Sequence, residues 1–172
     1  IMLAVIVPPA PAVTGPLFMD FRLMPYLHPE PQGVQMGTAT LVDYALSRAL
    51  LRPGDSLTLE TVWRNAPADA EVRVELYGVT AHLFPDTLPW LDQRVPLKGS
   101  VCRQVLDLPT DLPPGLYVLR VRLYVGGDDA PLRTTQGEKL ARLVLEPIQV
   151  VGHRFVTAQG EAKGYFCLLY TS

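Results

Sequence analysis

Cysteine is scarce in this sequence, which holds only Cys102 and Cys167. Two widely separated cysteines make neither a disulfide framework nor a metal knuckle. The three histidines, His28, His82 and His153, are not spaced as metal ligands on a helix. The sequence therefore predicts no metal site, no cofactor and no catalytic centre built on these residue types.

An excess of charge of one sign is also missing, since 15 Lys and Arg stand against 17 Asp and Glu. The basic residues are scattered, so we expect no nucleic-acid partner. No apolar run reaches the roughly 20 residues that a transmembrane helix needs. The opening IMLAVIV at 1–7 is interpreted as the end of a transmembrane helix or of a signal peptide, with an apolar strand as the alternative. Membrane attachment is expected only through sequence that precedes it.

Proline is abundant, with 17 residues, and it is densest near the N-terminus. Proline denies a helix its backbone donors and favours extended chain, so residues 1–33 are predicted to be a Pro-rich tether. Residues 34–152 are predicted to be one β-domain. Residues 153–172 keep no pattern and are interpreted as an unstructured tail that resembles translated read-through.

Alternation of apolar and polar residues is clearest in three runs of the predicted domain, and it is typical of half-buried antiparallel strands. The inward residues are expected to be buried: Leu57, Leu59, Thr61, Trp63, Val72, Val74, Leu76, Tyr117, Leu119, Val121, Leu123 and Val125. The outward charged residues are expected to be exposed: Glu71, Arg73, Glu75, Arg120 and Arg122.

Weaker patterns complete the predicted fold. Residues 40–46 place Val42, Tyr44 and Leu46 on one face, residues 101–108 form another strand, and residues 140–151 form the last, with Pro147 at an edge or bulge. Turns are predicted at 52–55 and 126–129, and residues 65–69 are predicted to close a hairpin. The spacing predicts an all-β, immunoglobulin-like antiparallel sandwich of about seven to eight strands.

The tetrapeptide GDSL at 54–57 spells the block that names one family of serine esterases. A nucleophilic serine needs a base within hydrogen-bond reach and an oxyanion hole, and no Asp-x-x-His partner is present for Ser56. Ser56 instead begins an alternating strand after a Pro-Gly turn. We therefore predict a structural role for it and no catalytic residue in the chain.

Aromatic residues offer a platform on which a sugar could stack. Tyr77 and Tyr124 lie in the outward phase and Trp90 lies in a loop, so they are expected to be exposed, whereas Trp63 shares the face of the core. An alternative for Trp90 is that its ring plugs one end of the sandwich. The predicted binding residues are Trp90, Phe84, Arg94 and Tyr124.

Four blocks of this sequence resemble a known domain in order and spacing. They are LLRPGDSLTL at 50–59 with Trp63 downstream, LDLP at 106–109, LPPGLYVL at 112–119 and VRLY at 121–124. Over residues 34–150 the chain resembles the C-terminal extracytoplasmic β-sandwich of bacterial membrane glycosyltransferases of the dolichyl-phosphate-mannose:protein mannosyltransferase type. In immunoglobulin-like domains, the tyrosine of such a Pro-x-Gly-x-Tyr block forms a corner.

The resemblance implies a non-catalytic accessory or binding module, tethered to the cell membrane outside the cytoplasm. Its expected partners are a glycan or lipid-linked sugar, or the membrane domain of the parent enzyme. Two alternatives stand beside it. One is a structural or adhesive immunoglobulin-like module of a secreted or surface protein, and the other is an esterase that uses Ser56.

Overall fold

The structure is a computed structural model that describes residues 17–20, 26–29, 33–79, 88–140 and 142–152, with the backbone alone for the first two ranges. The described residues form β-strands and no helix, so none of them belongs to a helix able to cross a membrane. The strands make two sheets that pack face to face, which confirms the predicted all-β sandwich.

In the part of the chain that the structure describes, the larger sheet has nine strands. They are β1 (Leu17–Asp20), β2 (Tyr26–Pro29), β5 (Leu50–Leu51), β7 (Ala70–Gly78), β8 (Leu91–Pro96), β10 (Gly115–Val125), β11 (Asp128–Asp129), β13 (Val144–Leu145) and β14 (Ile148–Val150). The smaller sheet has five described strands, in the order β12-β3-β4-β6-β9. They are β3 (Val34–Met36), β4 (Ala39–Leu46), β6 (Ser56–Arg64), β9 (Val101–Asp107) and β12 (Leu132–Thr134).

Strand β10 is the central strand of the larger sheet and pairs with four others. Along one edge it pairs with β7, from Tyr117 opposite Gly78 to Val125 opposite Ala70. Along its other edge it meets β14, β13 and β11 in turn. Pro147 lies between β13 and β14, so the predicted single strand at 140–151 is two short ones. Fourteen strands form within the described residues where seven or eight were predicted, because eight of them have four residues or fewer.

The core lies between the sheets and contains the predicted inward residues. Leu57, Leu59, Val72 and Leu119 are fully buried, and Val125 at the end of β10 is half-buried. The corner expected at Tyr117 is present, since its hydroxyl donates to the carbonyl oxygen of Pro113 at 2.7 Å. Each large apolar side chain buried here contributes roughly 1.5–3 kcal/mol to folding.

Two predicted turns have the geometry that their residues favour. Asp55 N donates to Arg52 O at 3.0 Å around Pro53 and Gly54, and Gly54 has φ +81°. Proline followed by a glycine with positive φ is typical of a type II turn. The turn at 126–129 is a two-residue hairpin loop between β10 and β11, in which both glycines have positive φ. That geometry suits glycine, because a side chain there would be strained.

The prediction that residues 65–69 close a hairpin is wrong. Strand β6 pairs with β4 and β9, whereas β7 pairs with β8 and β10, so this connection crosses from one sheet to the other. The crossing lets two strands, each apolar on one face, turn those faces toward a shared core. Asn65 at the start of the crossing has a φ of 54°, which asparagine tolerates better than most residues.

One predicted orientation and one predicted exposure are also wrong. A β-bulge between Leu41 and Asp43 shifts the alternation of β4, so Leu41 is fully buried while Val42 is only partly buried. Glu75, expected to be exposed, is 3% exposed, because arginine side chains from β7 and β10 surround it. The other four outward charges, Glu71, Arg73, Arg120 and Arg122, are half-buried and not fully exposed.

Part of the segment predicted to be a tether belongs to the larger sheet. Strands β1 and β2 pair with each other, and β1 pairs with β13 through Phe18 opposite Leu145 and Met19 opposite Val144. The tether therefore does not include Leu17–Asp20 or Tyr26–Pro29. The predicted tail at 153–172 lies outside the described residues.

Candidate binding face

The outer face of the larger sheet carries three rows of side chains, because β8, β7 and β10 pair in register. The rows are Arg94, Arg73 and Arg122; Asp92, Glu75 and Arg120; and Pro96, Glu71 and Tyr124. Asp129 lies beside Tyr124 on β11. We call these residues, apart from Pro96, the charged face. Four arginines and four carboxylates balance within it.

Arg73 lies at the middle of the charged face and binds several partners. Its Nε and Nη2 donate to the two carboxylate oxygens of Asp92 at 2.8 and 2.5 Å, and its Nη1 donates to the Tyr124 hydroxyl at 3.0 Å. The hydrogen bonds to Asp92 and then to Tyr124 raise the pKa of Arg73, and the bond from Arg73 lowers the pKa of Asp92. Such bidentate pairs fix orientation as well as charge.

Tyr124 is surrounded by guanidinium groups. The guanidinium carbons of Arg94, Arg122 and Arg73 lie 4.2, 5.2 and 5.9 Å from its ring centre, within the range of cation–π attraction. Tyr124 is only 9% exposed, so the expectation of an exposed stacking ring is wrong. The structure does bring together Arg94 and Tyr124, two of the residues predicted to bind a ligand.

Glu75 is the buried carboxylate of the charged face. Its Oε1 lies 3.2 Å from Arg73 Nη2, and its Oε2 lies 3.7 Å from Arg120 and 4.0 Å from Arg122. Within the described part of the chain, Oε2 accepts no hydrogen bond, although it is shielded from solvent. Three arginines thus compensate the charge of Glu75 while one oxygen keeps unused acceptor capacity.

The accessible polar groups lie at the rim of the charged face. Arg94 forms an ion pair with Glu71, and each side chain is 38% exposed. Arg122 binds Asp129 through Nε and Nη2, which raises the pKa of Arg122, and Asp129 is 45% exposed. Paired guanidinium and carboxylate groups offer donors and acceptors side by side, as adjacent hydroxyls of a sugar require.

Trp90 comes immediately before β8, and its backbone N donates to Leu76 O at 2.7 Å. Its side chain is 39% exposed, so Trp90 is not a core residue, whereas Trp63 at 1% is. Tyr124, on β10, is level with Pro96 at the other end of β8. The offset along the strand direction is roughly 20 Å, for six residues at about 3.3 Å each. The structure therefore does not bring Trp90 into contact with Tyr124. Phe84 lies outside the described residues.

Four residues of the charged face were not predicted to belong to a site: Arg73, Arg122, Asp92 and Glu75. The sequence does contain evidence for two of them, since Arg73 and Arg122 occupy the outward phase of two strongly alternating runs. The pairing of β7 with β10 places them side by side. That pairing follows from the whole topology and not from either run alone.

The other half of the same outer face is apolar. Tyr77, Val118 and Val144 form a second buried cluster, with Val79 packed against it. Tyr77 is 9% exposed, so the expectation that it would be exposed is wrong. Its ring packs with valines from the neighbouring strands and is not available to a ligand.

Ser56 lies at the start of β6, and its hydroxyl donates to Asp107 Oδ1 at 2.6 Å. A nucleophilic serine donates to a base such as histidine, which then accepts its proton. His82 and His153 lie outside the described residues, and only the backbone of His28 is described. The hydrogen bond to Asp107 ties β6 to β9 and supports a structural role for Ser56.

Comparison with known proteins finds a structural similarity but no match by sequence. No protein-family model matches the chain, and no curated protein matches it in sequence. Among solved structures, the chain is similar to the C-terminal domain of Wzt, with 14% sequence identity, 77% of this chain and 87% of that chain covered, and a TM-score of 0.43. A likeness this low carries no argument about function.

Proposed function

We propose that this domain is a non-catalytic glycan-binding module. The observation that carries the proposal is the charged face, where half-exposed guanidinium and carboxylate pairs lie in register on a three-stranded part of the larger sheet. Sites built on strands hold polar groups more precisely than sites on loops do. The exposed ring of Trp90 at the far end of β8 supplies a stacking surface of the kind sugars use.

A titration that follows tryptophan fluorescence tests this proposal in the full 172-residue chain. The probes are a mannose-containing oligosaccharide and a short-chain polyprenyl-phosphate sugar. We expect a saturable change that Trp90→Ala abolishes, because Trp63 is buried and reports little. Leu88→Ala is the matched control, since Leu88 is 76% exposed and lies near Trp90.

A second variant separates the charged face from the tryptophan. Arg94→Ala removes the guanidinium that stacks on Tyr124 and pairs with Glu71, and calorimetry should show weaker binding by about tenfold, or 1.4 kcal/mol. Arg64→Ala, an exposed arginine on the smaller sheet, should leave affinity unchanged. Absence of saturable binding by both probes, or binding that survives both Trp90→Ala and Arg94→Ala, would overturn the proposal.

We propose further that the domain belongs to an extracytoplasmic, membrane-tethered protein, a bacterial glycosyltransferase of the type named above. The support is the resemblance in the order and spacing of four sequence blocks over residues 34–150. The gene sequence upstream of Ile1 tests this directly. Several hydrophobic spans would support a membrane enzyme, whereas a signal peptide or repeated sandwich domains would favour an adhesive surface protein.

We propose also that the domain itself has no hydrolytic activity. The hydrogen bond from Ser56 to Asp107 supports this, because the hydroxyl proton points to a carboxylate on a neighbouring strand. Hydrolysis of short-chain nitrophenyl esters by the purified chain should not exceed that by Ser56→Ala. Turnover that depends on Ser56 would instead establish the esterase alternative.

A further inference from the structure

Strand β9 is an edge strand of the smaller sheet and pairs only with β6 within the described part of the chain. Leu108 N donates to Asp55 O, and Ser100 O accepts from Trp63 N, so the even-numbered residues of this segment direct their backbone groups toward β6. The odd-numbered residues therefore direct theirs away from the sheet. They are Val101, Arg103, Val105 and Asp107, and their backbone N–H and C=O groups form a free edge.

Gln104 is at the centre of this edge strand and points into the sandwich. It is 2% exposed, and its Nε2 makes one long contact with Cys102 Sγ at 3.7 Å. Its Oε1 is buried and accepts no hydrogen bond from the described residues. An unsatisfied buried acceptor costs free energy, so such a group indicates a partner outside the described residues.

We propose that β9 pairs antiparallel with β9 of a second copy of this chain, about a two-fold axis at Gln104. In this register all seven residues of β9 pair with the seven residues of β9 in the second copy. Val101 opposes the second copy's Asp107, and Arg103 opposes the second copy's Val105. Odd residues then oppose odd residues, so every free backbone group of the edge is paired.

The same axis supplies the donor that Gln104 lacks. Gln104 opposes its own copy in a non-hydrogen-bonded pair, where Cα atoms lie about 4.5 Å apart and side chains are in contact. Each Nε2 can donate to the Oε1 of the other glutamine. An axis at Val105 would instead place Gln104 opposite Leu106 and leave its oxygen without a donor.

The exposed side chains of β9 fit this dimer in charge and in polarity. Arg103, 71% exposed, lies diagonally across from the second copy's Asp107, which is close enough for opposite charges to interact. Val101 and Val105, 47% and 52% exposed, gain apolar cover from the added strand. This edge belongs to the smaller sheet, so the dimer does not depend on the glycan-binding proposal.

Sedimentation equilibrium of the full chain at sub-millimolar concentration tests the dimer. Val105→Pro removes one N–H that faces the free edge and none that binds β6, so the monomer fold and its circular dichroism should persist. We expect the wild type to dimerise and Val105→Pro to raise the dissociation constant about tenfold or more. Val105→Thr keeps the N–H and should dimerise like the wild type. A monomeric wild type, or an unchanged constant for Val105→Pro, would overturn the proposal.

Cysteine cross-linking tests the register. In a chain with Cys102→Ala and Cys167→Ser, Gln104→Cys places two thiols face to face across the axis, and mild oxidation should give a covalent dimer. Val105→Cys should cross-link more slowly, because each residue 105 opposes Arg103 in the second copy. Faster cross-linking through residue 105 than through residue 104 would contradict an axis at Gln104.

Discussion

The two halves of the outer face of the larger sheet differ in polarity although the same strands build them. In β7 the outward phase runs from Glu71 through Arg73 and Glu75 to Tyr77, and in β10 it runs back from Tyr124 to Val118. One half is a network of ion pairs, and the other is a small apolar cluster that includes Val144 from β13. Alternation thus fixes which face a residue is on, but neighbours decide whether it is solvated.

Glu75 lies where the two halves meet, and it shows why the distinction matters. Its neighbours across the strands are Arg120 and Asp92, yet its side chain is almost fully shielded from solvent. A buried carboxylate is tolerated only when nearby charges compensate it. The arginines at the centre of the charged face therefore stabilise a buried carboxylate, whereas the arginine side chains at its rim are accessible to a ligand.

The largest expected effect is in the apolar half. Val118→Asp places an unpaired carboxylate in a position that is 0% exposed, and we expect a loss of about 3–5 kcal/mol in the free energy of unfolding. Urea denaturation measures it. Leu116→Asp is the control, because Leu116 is also outward in β10 but 46% exposed, and its loss should stay within about 0.5 kcal/mol. Equal losses would mean that the apolar half is not buried.

The charged half should respond more moderately. Glu75→Gln keeps the shape of the side chain but removes the charge that faces Arg73, Arg120 and Arg122, and we expect a loss of about 1–3 kcal/mol in the free energy of unfolding. Glu71→Gln alters a half-exposed pair with Arg94 and should cost less than about 1 kcal/mol. A larger loss for Glu71→Gln than for Glu75→Gln would reverse our assignment of centre and rim.

Tyr124→Phe isolates one hydrogen bond within the charged half. It removes the hydroxyl that accepts from Arg73 Nη1 and keeps the ring beneath Arg94, so unfolding should become easier by about 0.5–1.5 kcal/mol. Tyr124→Leu also removes the cation–π contacts and should cost more. If both variants lose the same amount, the ring contributes nothing beyond its hydroxyl.

The smallest effect concerns pH. Arg73 lowers the pKa of Asp92 below its ordinary value of 3.8, so the stability contributed by this pair is present above that pH. It is lost as pH falls through the lowered pKa of the folded state, because the unfolded chain then binds the proton more readily. Asp92→Asn should flatten the stability curve below pH 4, and thermal melts from pH 6 to 2 would show it. An unchanged slope would contradict the pairing.

The sequence alone was sufficient for the part of the core that β6, β7 and β10 supply. The period of two in 57–63, 71–76 and 117–125 identifies the buried side chains, because a pleated strand sends alternate residues to opposite faces. It did not identify β8, in which Gln93 occupies an inward position opposite Val74 and prolines bound the strand. It also did not identify the crossing at 65–69, since a turn sequence does not state which sheet the next strand will join.

The candidate face was less predictable than the core. Arg94 and Tyr124 could be selected as single residues, but their contact depends on β8 and β10 lying on opposite sides of β7. Burial of Tyr124 depends in turn on the arginines that the same pairing brings over its ring. A surface assembled from three strands far apart in sequence is set by topology, which no local pattern contains.

The most direct test of glycan binding is mapping by NMR of the ¹⁵N-labelled chain during titration with the mannose-containing oligosaccharide. We predict that the largest shifts fall on the indole N–H of Trp90 and on the side-chain Nε–H groups of Arg94 and Arg122. Backbone amides of β9 on the smaller sheet should not move. Shifts confined to the smaller sheet, or no shifts at saturating sugar, would contradict the assignment of the binding face.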